Sequence, residues 1–244
     1  MPDRLTHTSG VPPHPHVRDV QRARIVAAMV EIAAERGFAE ATVARVVRRA
    51  GVSRRTFDEI FEGHEECFVA AFESAIARAS EYLLLVDEPR LRWRERIRAG
   101  LLALLSFLDD EPSMGRLLIV QSLGGSVCVL GRRSFMLSRI AIAIDEGGGE
   151  AGPGNDPPRM IAEGIAGAVV SVIHDRMIRG ESQTLLDLAN PLTSLIVLPY
   201  LGPAAARMEI ARPPPRRPER PPASAGADLV AGREEEVLRI VEQE

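Results

Sequence analysis

The stretch that most constrains the fold is Thr42 to Phe61, TVARVVRRAGVSRRTFDEIF. It reads as two short helices meeting at Ala50-Gly51-Val52. Thr42 and Ser53 each place a side-chain oxygen where a helix start leaves backbone N–H groups without partners. Gly51 sits where a tight turn needs a residue that tolerates positive φ. Val43, Val46, Val47 and Ala50 share one face of the first helix, and Phe57, Ile60 and Phe61 one face of the second. The spacing is that of a helix-turn-helix, the unit that sets a helix into the major groove of DNA. Between residues 42 and 57 there are five arginines (45, 48, 49, 54, 55) and no acid.

The rest of the chain also reads as helical. Ahead of the motif, Ile25, Met29, Ile32 and Ala33 recur at helical spacing, and Gly37 stops that helix. Behind it, Glu65 and Glu66 open a fourth helix, where acids suit the N-terminal dipole. Amphipathic segments follow over residues 90–109, 126–146, 158–179 and 184–201, with Pro112 opening a shorter one. Pro191 kinks the last segment or marks its first turn. No strand-like alternation persists. The expected fold class is all-α: an N-terminal three-helix helix-turn-helix DNA-binding domain and a C-terminal helical ligand-binding and dimerisation domain.

The expected divisions are a disordered arm (1–16), the helix-turn-helix domain (17–62), the helical ligand-binding and dimerisation domain (63–203), a Pro/Arg-rich linker (204–227) and a C-terminal helix (228–244). From 212 to 227 the sequence RPPPRRPERPPASAGA forbids helix and favours a polyproline-like chain. The final helix is too short to hold a core alone. It either docks back on the body or begins a further unit.

With 244 residues, 45% hydrophobic and 26% charged, the chain has the composition of a globular protein. All thirty basic residues are arginine, which we read as a GC-rich coding bias. The net charge of −4 gives no general affinity for nucleic acid, so the local basic run matters more than the sum. Cys67 and Cys128 match no metal or redox spacing, and both read as buried free thiols of a reducing cytoplasm. His14 and His16 near the start make a poor metal cage. No apolar run reaches the roughly 20 residues that cross a bilayer, and the first 16 residues lack a signal-peptide core. A cytoplasmic location with no membrane partner is expected. No cofactor or metal is implied.

The N-terminal half resembles the TetR family of transcriptional regulators. The resemblance rests on Glu35-Arg36-Gly37-Phe38, Thr42 through Val46, Ala50-Gly51-Val52-Ser53, Thr56-Phe57, Phe61 and the helix after Glu65. This order over about 50 residues is specific. Phe107-Leu108 before Glu111-Pro112, and Leu198-Pro199-Tyr200-Leu201-Gly202, look like actinobacterial members. The resemblance implies a homodimer, a small-molecule effector and release from a roughly palindromic operator when the effector binds, hence a repressor. It also implies DNA contacts by Thr42, Arg45, Ser53, Arg54, Arg55, Thr56 and His64, with Arg54 or Arg55 reading guanine. Asp58, Ile60 and His64 depart from the family's phosphate-binding types. Residues 58–66 hold five acids (58, 59, 62, 65, 66) and no arginine. Asp58 and Glu59 lie four residues after Arg54 and Arg55, a spacing at which ion pairs form. Weaker, less salt-dependent binding is therefore expected.

In the C-terminal helices, the few polar residues on apolar faces are Gln121, Ser122, Arg139, Ser171 and His174. Around them stand Phe107, Met114, Leu118, Phe135, Met136, Met160 and Ile165, an expected effector pocket; the alternative for each is plain core. Gly164, Gly167 and Ala168 make one helix small-sided, and Leu188, Leu192, Leu195 and Ile196 an apolar seam. Together they are the expected dimer interface, with intrachain packing the alternative. An enzyme is not expected: His174 and Asp175 point about 100° apart on a helix, and no nucleophile elbow or phosphate loop is present. Asp109-Asp110-Glu111 reads as a solvated run. The alternative function is a ligand- or protein-binding module on the same scaffold with weakened DNA binding.

Overall fold

The computed structural model describes residues 15–222 except 87, 89, 152–156 and 181–183. The expected C-terminal helix and most of the expected N-terminal arm lie outside the described residues. Helix α1 runs Pro15–Arg36, so helix begins inside the span expected as a free arm. Its buried face is Ile25, Val26, Ala28, Met29, Ile32 and Ala33. Gly37 ends it at φ 87°, its N–H bonded to the Ala33 carbonyl at 2.8 Å. Helix α2 (Val43–Ala50) ends at Gly51 in the left-handed region, φ 65°. A side chain there would be strained, and a Cβ would also meet the Arg24 guanidinium at 2.8 Å. Helix α3 spans only Arg54–Asp58 before a turn that carries Phe61 into the core beside Phe57.

Helix α4 (His64–Leu84) joins the two halves of the molecule. Near its start Phe68 packs edge-on against Phe38, and near its end Tyr82 does the same against Phe107. Helix α5 (Trp93–Asp110) runs through the middle of the C-terminal helices and contacts α4, α6 and α9. Helix α6 (Pro112–Ile119) starts with proline at its first position, where the missing N–H costs nothing. It packs against α1, so the N-terminal unit rests directly on the C-terminal body. Helices α7 (Val127–Asp145) and α8 (Arg159–Arg179) pack on each other. Among the described residues no strand occurs, and the fold is all-α with an N-terminal helix-turn-helix unit.

Trp93 shows how closely the C-terminal body is packed. Its indole N–H donates to the Ala143 carbonyl at 2.9 Å, and its ring lies 5.0 Å from Tyr200. A Cβ on Gly147 would come within 2.5 Å of that ring, so the glycine is what lets the chain pass.

Two expectations need correction. Helix α9 (Ala189–Ile210) does not end at Leu201: Gly202 breaks it at φ 76°, and helix resumes through Pro203 to Ile210. Proline just after a break is pre-set for a helix start, and the Ala-Ala-Ala that follows is strongly helix-forming. The Pro/Arg segment therefore begins near 211, not 204. Leu185–Ile210 is also 26 residues long at a mean hydropathy of 1.3, long enough to span a bilayer. Half of that window is buried in the protein and Gly202 interrupts it, so its apolar character is that of a core helix.

Candidate nucleic-acid interface and ligand cleft

The helix-turn-helix presents an arginine-rich face whose cations are largely held by its own acids. Ser53 caps α3: its oxygen accepts from the Thr56 N–H at 3.0 Å and shares a 2.8 Å hydrogen bond with the Thr56 hydroxyl. That fixes the first turn of α3, from which Arg54 and Arg55 project with side chains 64% and 88% exposed. Arg54 Nε donates to Asp58 at 2.9 Å and Arg55 Nε to Glu59 at 2.8 Å, the pairs that the spacing predicts. Arg45 donates to the Glu40 carbonyl at 2.7 Å and pairs with the Glu40 carboxylate. The side-chain hydrogen bond from Arg45 to that carboxylate, and then the charge of Arg45, holds the Glu40 carboxyl below its usual range. Arg49 is paired with Glu31 and Glu35 of α1.

Thr42 is exposed and extended ahead of α2 but makes no side-chain cap, contrary to expectation. Its hydroxyl is thereby left at the protein surface beside the α2 N-terminus. His64 is also placed differently. Its Nε2 lies 3.1 Å from the Phe38 carbonyl and its ring 4.4 Å from the Phe38 ring, so this nitrogen is engaged inside the domain. The basic side of α1 lies outside the expected contacts. Arg18 donates to the Glu59 carbonyl at the end of α3, Arg22 lies over the Phe61 ring, and Arg24 reaches Gly51. The signal was in Arg18 and Arg22, four residues apart on one helix face.

The residues expected to line an effector pocket differ widely in exposure. Phe107, Leu118, Ser122 and Ile165 are buried in the core. The Ser122 hydroxyl donates to the Leu118 carbonyl at 2.7 Å and accepts from Arg133 Nε at 3.1 Å, which satisfies it internally. Met114, Gln121, Met136 and His174 are half-buried, while Phe135, Arg139, Met160 and Ser171 are exposed. Gln121 instead packs over Gly37 at the end of α1.

A cleft of about 360 Å³ lies elsewhere, between the α5–α6 junction and the C-terminal end of α8. Its walls include Leu108, Asp109, Arg116, Met177, Leu185 and Leu188. Arg116 on that wall donates from Nε to the Ala34 carbonyl of α1 at 3.3 Å and from Nη1 to the Met177 carbonyl of α8 at 3.2 Å. Opposite it, Asp109 accepts from the Thr184 hydroxyl and from the Leu185 and Leu186 N–H groups at 3.0 and 3.3 Å, capping the 3-10 turn Leu185–Leu188. Arg116 thus links this side of the cleft to both α1 and α8.

Of the expected dimer residues, Gly164, Gly167 and Ala168 lie on an exposed face of α8, and nothing approaches the Cβ positions of the two glycines within 4 Å. Leu195 of α9 is partly exposed, and Leu198 beside it at 44%. Leu188, Leu192 and Ile196 point inward and belong to the core, so the outward face of α9 is one helical step round from the expected seam. Cys67 is buried, which pushes its thiol up to about 12. Cys128 is exposed, contrary to expectation, and its sulfur accepts from Arg132 at 2.9 Å.

Residues 25–71 match the family described as bacterial regulatory proteins, tetR family. The helix-turn-helix unit is a TetR-family domain. No curated protein matches the sequence. Among solved structures, a TetR-like transcriptional regulator from Rhodococcus sp. RHA1 is 21% identical, with TM-score 0.59 over 73% of this chain and 94% of that one. The fatty acid degradation regulator FadR from Bacillus halodurans is 16% identical, TM-score 0.64, over 72% and 94%. FadR from Bacillus subtilis, solved with stearoyl-CoA, is 18% identical, TM-score 0.61, over 74% and 98%. At these identities the likeness is one of fold, and it extends through the C-terminal helices. The chain therefore has the fold of a TetR-type transcriptional regulator.

Proposed function

We propose that this protein is a ligand-responsive transcriptional repressor that binds a roughly palindromic operator as a homodimer and is released by a small molecule in the cytoplasm. The observation that carries the reading is the Ser53-capped start of α3, which projects Arg54 and Arg55 outward from a TetR-family helix-turn-helix. Thr42, Arg45, Ser53 and Thr56 would contact phosphates, and Arg54 or Arg55 a base edge. The exposed arginines of α1 add to that list, while His64 is left to position the domain. The outward small-sided face of α8, together with Leu195 and Leu198, is the proposed dimer seam.

The cleft beside Arg116 is the proposed effector site. A ligand that draws Arg116 away from the Ala34 carbonyl changes the seating of α1 on α6 and so the spacing of two recognition helices in a dimer. Bacillus subtilis FadR, solved with stearoyl-CoA, gives acyl compounds a place among the first ligands to try.

A second reading has its own support. Arg45, Arg49, Arg54 and Arg55 each have a carboxylate beside them, and carboxylates on this face repel phosphate, which favours a ligand- or protein-binding module with weakened DNA affinity. Fluorescence-anisotropy titration against the gene's own upstream DNA, with scrambled DNA as control and a salt series, separates the two. The repressor reading expects sequence-dependent binding that weakens steeply with salt. Equal affinity for scrambled DNA favours the second reading.

A further inference from the structure

Residues 213–222, after α9, run extended across the body. Their burial recurs every third residue: Pro215 and Pro218 are half-buried, Pro221 is buried, and the residues between are exposed. Three residues per turn is the repeat of a polyproline II helix, so one face of such a helix lies against the protein. Arg217 and Arg220, also three apart, fall on a neighbouring face. Arg217 Nη1 bonds Asp110 at 2.6 Å, its Nη2 lies 3.6 Å from Asp109, and Arg220 Nη2 bonds Glu111 at 2.7 Å.

Six of the ten residues 213–222 are proline and carry no N–H, so recognition of this main chain falls largely on its carbonyls. The body supplies donors at both ends of the strap. Asn190 Nδ2 donates to the Arg212 carbonyl at 2.8 Å, and Arg78 donates to the Pro221 and Pro222 carbonyls at 3.2 and 3.3 Å. Arg212 also pairs at 2.9 Å with Glu209, a fully buried carboxylate held by Arg98 at 3.2 Å and Arg94 at 3.4 Å. The acids have their own need for partners. Asp109, Asp110 and Glu111 close α5, where the helix dipole disfavours negative charge. The run expected to be solvated is instead covered.

We propose that the acidic tip of α5 together with Arg78 is a recognition surface for an arginine-bearing polyproline segment, occupied by this chain's own residues 211–222. The strap is a clasp as well as a ligand. Asp109, which faces Arg217, also caps the 3-10 turn Leu185–Leu188 that forms a wall of the cleft. Releasing the strap leaves three adjacent acids with less positive charge and loosens that wall.

Limited trypsin digestion of the full-length protein tests this. Arg212, Arg217 and Arg220 each precede proline and resist trypsin, so Arg216–Arg217 is the one cleavable bond within the strap. Asp110→Asn with Glu111→Gln removes the body's charges while leaving an acceptor for the Tyr82 hydroxyl, and Arg220→Gln removes one strap charge without touching the body. Both variants are expected to speed cleavage of that bond, the former about tenfold, and added salt is expected to speed it in the unaltered protein. Amide exchange at Leu185 and Leu186 is expected to rise with it. Unchanged cleavage in both variants overturns the proposal. Faster cleavage with unchanged exchange overturns the coupling to the cleft. Protection that grows with protein concentration assigns the strap to a second copy and overturns occupancy by its own chain.

Discussion

On the repressor reading, Asp58 and Glu59 are the residues on which the strength of DNA binding turns. Each is bonded to the arginine one helical turn before it, and each sits on the helix proposed to enter the groove. The pairs are exposed, and exposed pairs at this spacing are weak, so they do not withhold the arginines from phosphate. The larger effect is repulsion between two carboxylates and the DNA backbone. Asp58→Asn with Glu59→Gln is therefore expected to tighten operator binding about three- to tenfold and to steepen the dependence of log K on log salt. Anisotropy titrations at several salt concentrations check both. Equal affinity and equal slope would mean that the two carboxylates lie away from the DNA. These pairs were legible in the sequence because the i to i+4 rule is local. The inward turn of His64 was not, because it depends on Phe38, 26 residues away.

The helices are held in place by a few points of very close approach, of which Gly147 against Trp93 is the tightest. Gly147→Ala puts a methyl group where the indole ring already stands. The ring is held by its N–H bond to Ala143 and by Tyr200, so it does not simply step aside. Overpacking of this kind costs roughly 1–3 kcal/mol. Urea denaturation is expected to show a lower midpoint with an unchanged slope; Gly149→Ala, where nothing lies within 4 Å, is the control expected to change little. Element order was readable from apolar periodicity and from Gly37, Gly51 and Pro112. What periodicity cannot give is which partner a face meets. Leu188, Leu192 and Ile196 repeat at the spacing of a seam, yet their partners are within the chain. Likewise, Asp109 to Glu111 reads as solvated until the strap arrives from about 100 residues later. Ser122 is a like case: its hydroxyl is satisfied by Leu118 and Arg133 inside the core, which no spacing rule reveals.

For the molecule as a whole, the outstanding feature is an apolar, small-sided face that the described residues do not cover. Met160, Ile161, Gly164, Gly167, Ala168 and Val172 of α8 lie outward together, with Leu195 and Leu198 of α9 also exposed. A contiguous patch of this kind on a helix pair marks an interaction surface, and its small residues allow another helix close access. If two copies meet here about a two-fold axis, each α8 faces its own copy, so one substitution is felt twice. Ala168→Arg is then expected to set two like charges against each other in an apolar seam. The expected result is a monomer by analytical ultracentrifugation at micromolar concentration, with a helical circular dichroism spectrum close to that of the unaltered protein. Operator affinity should fall by more than tenfold, because a monomer engages one half-site where a dimer engages two. A variant that stays dimeric would place the interface elsewhere. A monomer that keeps full operator affinity would break the link between dimer and palindrome on which the repressor reading rests.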